Sequence, residues 1–433
     1  MLIHVVKNGE SISAVAAIHG VLPRLLAADN GLAVDSPLAV GQALVVRIPR
    51  TLHTVAAGDT LFSLAQRYGV SEKTLLRRNF YLRGRTVLSE GAPLVIDYAE
   101  EAPLAALGVS AYAYPYISAP LLDALLPYLT YLVPFTYGVT PEGGLVPLAD
   151  EALLAAAARC GAAALMHLST LTPDGGFSSD NAAAVLRSAR ARSALVDEAA
   201  RTPVQKGYYG LDIDFEYVPP EERAAYAGLV CALREALNAQ GRPVIAALAP
   251  KTSAQQRGLL YEAHDYALLS RAANAVFLMT YEWGYAYGEP MAIAPLPQVR
   301  AVLDYALTET APEKIFLGVP LYAYDWPLPY AQGMTKAETL SSQQAAERAA
   351  RLGAAIQYDE TAQSPYYYYR DAARREHVVW FEDARSLERK LRLAAERSLQ
   401  GIGCWHLGRE LAQFYPLLDA LIDIETVSRT PSQ

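Results

Sequence analysis

The chain has 433 residues, 52% of them hydrophobic and 19% charged, with a formal net charge of −8. That length exceeds one ordinary core and calls for two or three domains. The acidic balance and the lack of any basic run exclude nucleic acid and anionic lipid as expected partners.

The N-terminus, MLIHVVKNGESIS, has no basic stretch followed by an apolar run and a small-residue cleavage site, so no secretory signal is expected. No apolar run reaches the ~18 residues of a membrane span. Residues 4–21, HVVKNGESISAVAAIHGV, repeat as HTVAAGDTLFSLAQRYGV at 53–70, an offset of 49. The register continues through Leu26/Leu75 and Asn30/Asn79, then slips by one residue to Gly41/Gly91 and Leu44/Leu94. Each copy reads as strand, turn, two helices and strand. Thr60 is placed to cap a helix bearing Leu61, Leu64, Ala65 and Tyr68, and Gly69 to end it. Two βααβ units, 1–49 and 51–98, follow from this pattern. Both resemble LysM modules, which bind N-acetylglucosamine-containing glycans; the second is the closer match, and the first has Glu10 where the usual residue is Asp. The resemblance implies sugar grooves at 9–13 with 36–42 and at 58–62 with 86–92. It points to Gly9, Ser11 and Ile12 in the first copy, and to Gly58, Asp59, Thr60 and Leu61 in the second. Two weak sites in tandem would raise avidity.

After an acidic, Pro-containing connector at 99–105, short apolar strands alternate with Ala-rich helices. Strands are expected at 107–114, 131–139, 162–170, 209–218, 244–251, 275–283, 314–326 and 401–408. Helices are expected at 149–160, 181–200, 221–239, 292–307 and 384–398, among others. Eight such repeats predict an α/β fold, a closed (β/α)8 TIM barrel, over 103–425. The wide gap after the seventh strand holds a helix (341–352) and tyrosine-rich strands. It predicts a small α+β insertion at about 330–382, on the face where barrel catalysts sit. The 28 tyrosines, against 9 phenylalanines, suit surfaces that meet sugars or peptides.

The stretch GLDIDFEYV (210–218) carries Asp212, Asp214 and Glu216 at alternate positions. In a strand these share one face, and Leu211, Ile213 and Phe215 share the other. On a barrel strand the apolar set faces the helices and the acids face inward, with Glu216 highest. Crowded carboxyls in a low-dielectric interior cannot all ionise, so at least one pKa rises and a proton is held near neutral pH. The pattern resembles the DxxDxDxE hallmark of glycoside hydrolase family 18, except that Tyr209 stands where the leading acid would be. The resemblance implies Glu216 as general acid/base, Asp214 as orienter of the substrate's acetamido group and Asp212 as its relay partner. It also implies Tyr281 as donor to the acetamido carbonyl and Trp405 as the hydrophobic floor. Glu282, Trp283, Tyr324, Asp325 and Trp326 follow strand ends, and Tyr112 and Tyr137 lie on the first two strands. All are candidate substrate contacts.

The three cysteines, Cys160, Cys231 and Cys404, fit no disulfide or zinc pattern and read as free thiols. With no metal-ligand spacing, phosphate loop or Ser-His-Asp arrangement, neither metal nor cofactor is expected. Over nearly its whole length the chain resembles the spore germination enzymes that degrade cortex peptidoglycan, through stretches such as LAPKTSAQQRGLLYEAHDY and PLYAYDWPLPY. This implies a spore-associated N-acetylglucosaminidase whose partner is GlcNAc-containing cortex glycan. A chitinase or chitooligosaccharide hydrolase, and a non-catalytic glycan-binding coat protein, are the alternatives.

Overall fold

The computed structural model describes residues 1–172 and 176–427. In the first N-terminal unit, Leu2–Val5 pairs antiparallel with Ala43–Val46 around helices Ile12–His19 and Pro23–Asp29. In the second, Pro49–Thr54 pairs with Pro93–Tyr98 around helices Leu61–Tyr68 and Glu72–Arg78. Local chemistry sets the first helix of each. Ser11 accepts a bond from the Ala14 amide and Thr60 from the Ser63 amide. The repeated asparagines act as staples. Asn30 donates to the carbonyls of Leu26 and Val45 and accepts from the Val45 amide. Asn79 does the same with Leu75 and Val95. Each staple ties the second helix to the last strand and satisfies backbone groups that burial would otherwise orphan.

Beyond the connector, eight parallel strands form a closed barrel. They are β1 (Ala105–Ala113), β2 (Tyr131–Pro134), β3 (Ala163–Ser169), β4 (Gly210–Asp214), β5 (Val244–Leu248), β6 (Ala275–Leu278), β7 (Ile315–Pro320) and β8 (Gly401–Trp405). Each pairs with the next, and β8 pairs with β1. The eight expected strands therefore all form, several of them shorter than the sequence pattern suggests. The helix expected at 181–200 is two helices, Ser179–Arg187 and Ala189–Lys206, because Ser188 adopts an extended conformation and caps the second.

The apolar run expected as one strand at 314–326 divides at Leu321. β7 ends at Pro320, and Tyr322–Pro327 leaves the barrel to join a five-stranded antiparallel sheet. That strand pairs with Glu338–Ser341 and Glu376–Trp380, so the insertion begins at Tyr322 rather than near residue 330. Helix Ser342–Leu352 packs on this sheet.

The N-terminal units are seated on the barrel domain. Arg47 is buried and pairs with Glu100 (2.7 Å) and Asp419 (2.8 Å), while Arg77 reaches the other oxygen of Asp419 (3.1 Å). Gln413 donates to Asn30 (3.0 Å) and to the Ala43 carbonyl (2.6 Å). No single helix among the described residues is long and apolar enough to cross a membrane.

Candidate active site

β4 carries the acids. Its pairing with β3 ends at Asp214–Ser169 and its pairing with β5 ends at Ile213–Ala246. Leu211, Ile213 and Phe215 are fully buried on the outer side, where Phe215 stacks on Tyr226 of helix Arg223–Asn238. Glu216 therefore lies just beyond the strand end rather than on it. Tyr217 follows with φ of 55°, a left-handed conformation that turns the chain away at this point.

Asp212 is the deepest acid and is buried. Tyr112 of β1 donates to its Oδ2 at 2.9 Å. His167, its direct neighbour on β3, places Nε2 3.6 Å from Asp212 and 3.7 Å from Asp214. Nδ1 of the same ring is 2.5 Å from Thr136 Oγ1, which in turn donates to Ser169 at 3.0 Å. Burial pushes the Asp212 carboxyl up to about 6, reinforced by Asp214 and opposed by His167 and the Tyr112 hydroxyl. Asp212 Oδ1, Asp214 Oδ1 and His167 Nε2 are buried without a hydrogen-bond partner. Such groups are costly unless a ligand or water completes them.

Above the acids opens a cavity of about 620 Å³, lined by Asp214, Glu216, Tyr281, Glu282, Tyr112 and Trp405. Tyr114, Phe135, Tyr217, Tyr261 and Tyr285 complete its aromatic wall. Trp405 ends β8 and joins this wall, its ring 4.8 Å from Phe135 and 5.4 Å from Tyr112. Tyr281 comes close to β7 because residue 318 is glycine. A Cβ there would lie 2.9 Å from the tyrosine ring. Burial holds the Glu216 carboxyl well above the usual carboxylate range, and the charges of Asp214 and Glu282 add to the effect. Glu282 is also raised by burial, and is restrained by two hydroxyl donors, Tyr322 (2.6 Å) and Tyr324 (2.9 Å).

The structure thus gathers Asp212, Asp214, Glu216, Tyr281, Glu282, Trp405 and Tyr112 at one mouth of the barrel. Trp283 lines an adjoining groove of about 400 Å³ that shares Tyr261, Tyr281 and Glu282 with the cavity. Tyr324 stands behind Glu282 rather than at the cavity wall. Three candidates are not brought to the site. Tyr137 lies beyond the short β2 and donates to buried Asp150 at 2.5 Å, beside Lys206. Asp325 and Trp326 travel with the insertion sheet once the chain leaves β7. Asp325 is held by Arg348, His377 (2.7 Å) and Tyr369 (2.6 Å), and Trp326 is fully buried with its indole N–H on the Gly288 carbonyl. Tyr209, at the bottom of β4, packs near Tyr131.

In the N-terminal units, Ile12 and Leu61 face the domain cores, so neither side chain is available to a glycan. Ser11 and Thr60 are helix caps, and Asp59 binds His53 (2.8 Å) and the Ala56 amide (2.7 Å). Gly9 and Gly58 hold left-handed turns with φ of 81° and 87°. Sequence reasoning missed His167, Thr136 and His264. None belongs to the acid motif: His167 comes beside it through the register of two strands, and Thr136 and His264 reach it from loops after other strands.

The profile of glycosyl hydrolases family 18 matches residues 171–410, and that of the LysM domain matches 4–47 and 53–97. The cortical fragment-lytic enzyme of Bacillus subtilis (strain 168) is 42% identical over 294 residues, 67% of this chain and 68% of its own length. That of Bacillus cereus is 34% identical over 420 residues, 95% of this chain and 96% of its own. The crystal structure of the Bacillus cereus spore cortex-lytic enzyme SleL superposes with a TM-score of 0.82, at 33% identity and 98% coverage of both chains. The chain therefore belongs to glycoside hydrolase family 18, as a glycoside hydrolase with two LysM domains ahead of its barrel.

Proposed function

We propose that this enzyme hydrolyses spore cortex peptidoglycan, cutting β-1,4 bonds after N-acetylglucosamine with retention and with the substrate's own acetamide as nucleophile. One observation carries the reading. Glu216, its carboxyl raised well above the usual range by burial and by two neighbouring carboxylates, shares an aromatic cavity with Asp214, one of whose oxygens is buried without a hydrogen-bond partner. The cavity falls in the ~300–1,000 Å³ range of small-molecule sites.

In this reading Glu216 donates its proton to the glycosidic oxygen as the bond to the anomeric carbon breaks. The acetamido oxygen bonds to that carbon, giving an oxazolinium ion. Asp214 accepts the acetamido N–H and balances the positive charge. Asp212 and Tyr112 support it from below, and Tyr281 donates to the acetamido group. Glu216, now a carboxylate, takes a proton from water as that water attacks the anomeric carbon. The ring opens and the starting configuration is restored. LysM contact with glycan holds the enzyme on its insoluble substrate, in keeping with a spore-associated enzyme.

The test is digestion of purified cortex fragments beside chitooligosaccharides. N-acetylglucosamine at the new reducing ends, released first as the β anomer, is expected. Muramic-type reducing ends or an α product would refute the assignment. Faster turnover of chitooligosaccharides than of cortex would make it a chitooligosaccharide hydrolase.

A further inference from the structure

The two LysM domains are copies in sequence, yet the barrel domain contacts them through different faces. Each contains the same pair of adjoining turns. In the first, Val6 exchanges backbone hydrogen bonds with Gly41 (2.8 Å) and Gln42 (2.9 Å); in the second, Val55 does so with Gly91 (2.8 Å) and Ala92 (2.9 Å).

In the first copy the insertion packs against this turn at Ala39, the Val40 carbonyl and Gly41, while the Val40 side chain stays 43% exposed. Ala39 is 2% exposed and packs into the insertion core with Ala323, Ile356 and Phe381. The Val40 carbonyl accepts from the Ile356 amide at 2.8 Å, and a Cβ on Gly41 would overlap the Ile356 carbonyl. Arg385 donates to the Gly41 carbonyl at 3.3 Å. In the second copy nothing lies within 4 Å of a Cβ built on Gly91, the counterpart of Gly41, and Ser89, the counterpart of Ala39, is exposed. Two apolar side chains close in sequence to Gly58 and Gly91, Phe62 and Val87, are 62% and 83% exposed. This copy docks elsewhere, through Arg77 on Asp419 and through Tyr128, whose hydroxyl donates to the Arg77 carbonyl.

We propose that the two LysM domains have divided their work. The first is a brace for the catalytic insertion, and the second alone offers its turn face to an N-acetylglucosamine-containing strand. This rests on the glycan-binding reading given above and assigns it to one copy. The occupant follows from the chain itself, because a glycoside hydrolase domain lies on the same polypeptide. The bracing role has a route to the chemistry. Ala323, which shares a core with Ala39, stands between Tyr322 and Tyr324, and both of those hold Glu282. One open module also removes the avidity expected of two, leaving the barrel groove as the second point of attachment.

The experiment uses the full chain carrying Glu216→Gln, so that glycan is bound without being cut, and measures sedimentation with purified cortex. Phe62→Asp with Val87→Asp should weaken binding about tenfold or more. The equivalent exposed pair in the first domain, Ser13→Asp with Pro37→Asp, should leave binding within about twofold of the parent. Equal losses from the two pairs, or a larger loss from the first, would overturn the proposal. Phe62→Ser with Val87→Ser repeats the comparison without added charge, should the aspartates disturb folding. Glycan capture does not depend on which bond is cut, so this result and the product analysis fail separately.

Discussion

His264 directs Nε2 at the carbonyl oxygen of Phe215, 3.1 Å away. Nδ1 of the same ring accepts the Ala249 amide at 2.9 Å, so the proton must sit on Nε2 and be donated to Phe215. Burial pulls the ring down to about 4, which keeps it neutral at ordinary pH. The residue it holds lies between Asp214 and Glu216, so the histidine positions both acids. His264→Leu should lower kcat by about tenfold or more with little change in KM, since small displacements of a catalytic group are costly. Gln can both accept and donate, and His264→Gln should recover most of the rate. A glutamine variant no better than leucine would reduce this ring to packing.

Glu216→Gln should lower kcat by at least about 10²-fold, the usual scale of a general acid, with the melting temperature unchanged or raised. Residual activity near wild type would remove Glu216 from the mechanism.

The pH profile tests the neighbour of that acid. Activity should fall on the alkaline side as Glu216 loses its proton. The negative charge of Glu282 helps to hold that proton, so Glu282→Gln should move the alkaline limb to lower pH. A limb that stays in place, measured as kcat/KM on a soluble oligosaccharide, would separate the two carboxyls.

Asp212 should show the stability cost of the acid column. Its carboxyl rises from an ordinary 3.8 to about 6 on folding, so the native state binds the extra proton. The stability present at low pH is lost as pH rises through 6, by on the order of 3 kcal/mol. Asp212→Asn should therefore melt higher than wild type at pH 7.5 and show little advantage near pH 4, while hydrolysing more slowly. A variant less stable at both pH values would mean that the carboxylate is compensated in the fold.

Lys390 and Glu382 form a fully buried ion pair at 2.7 Å where the insertion returns to the barrel. Lys390→Met leaves Glu382 buried without its partner and should cost about 3–5 kcal/mol at neutral pH in urea unfolding. Burial already raises the Glu382 carboxyl, so protonation should relieve part of the loss as pH falls toward 5. A pH-independent loss would assign the effect to packing.

Much of this was legible from residue spacing alone. The offset of 49 announced two copies of one module, because helix caps, glycine stops and staple asparagines are local requirements that each copy must meet. Alternation in GLDIDFEYV placed the acids on one face, because a strand has a period of two. The alternation of strands and helices predicted the closed barrel, and the structure closes it.

The sequence could not reveal where a strand stops. Periodicity continues through Glu216 and through Asp325, but hydrogen-bonding partners end at Asp214 and Pro320. Only those partners decide that Glu216 tops β4 from a turn and that Asp325 and Trp326 belong to another sheet. The polar neighbours of the acids were equally hidden. His167 lies 45 residues before Asp212 and becomes its neighbour only through the register of two parallel strands. The same reason separates the LysM copies. Sequence fixes the fold of each, which is local, whereas the surface each leaves free depends on what the insertion covers, and that is a property of the assembled chain.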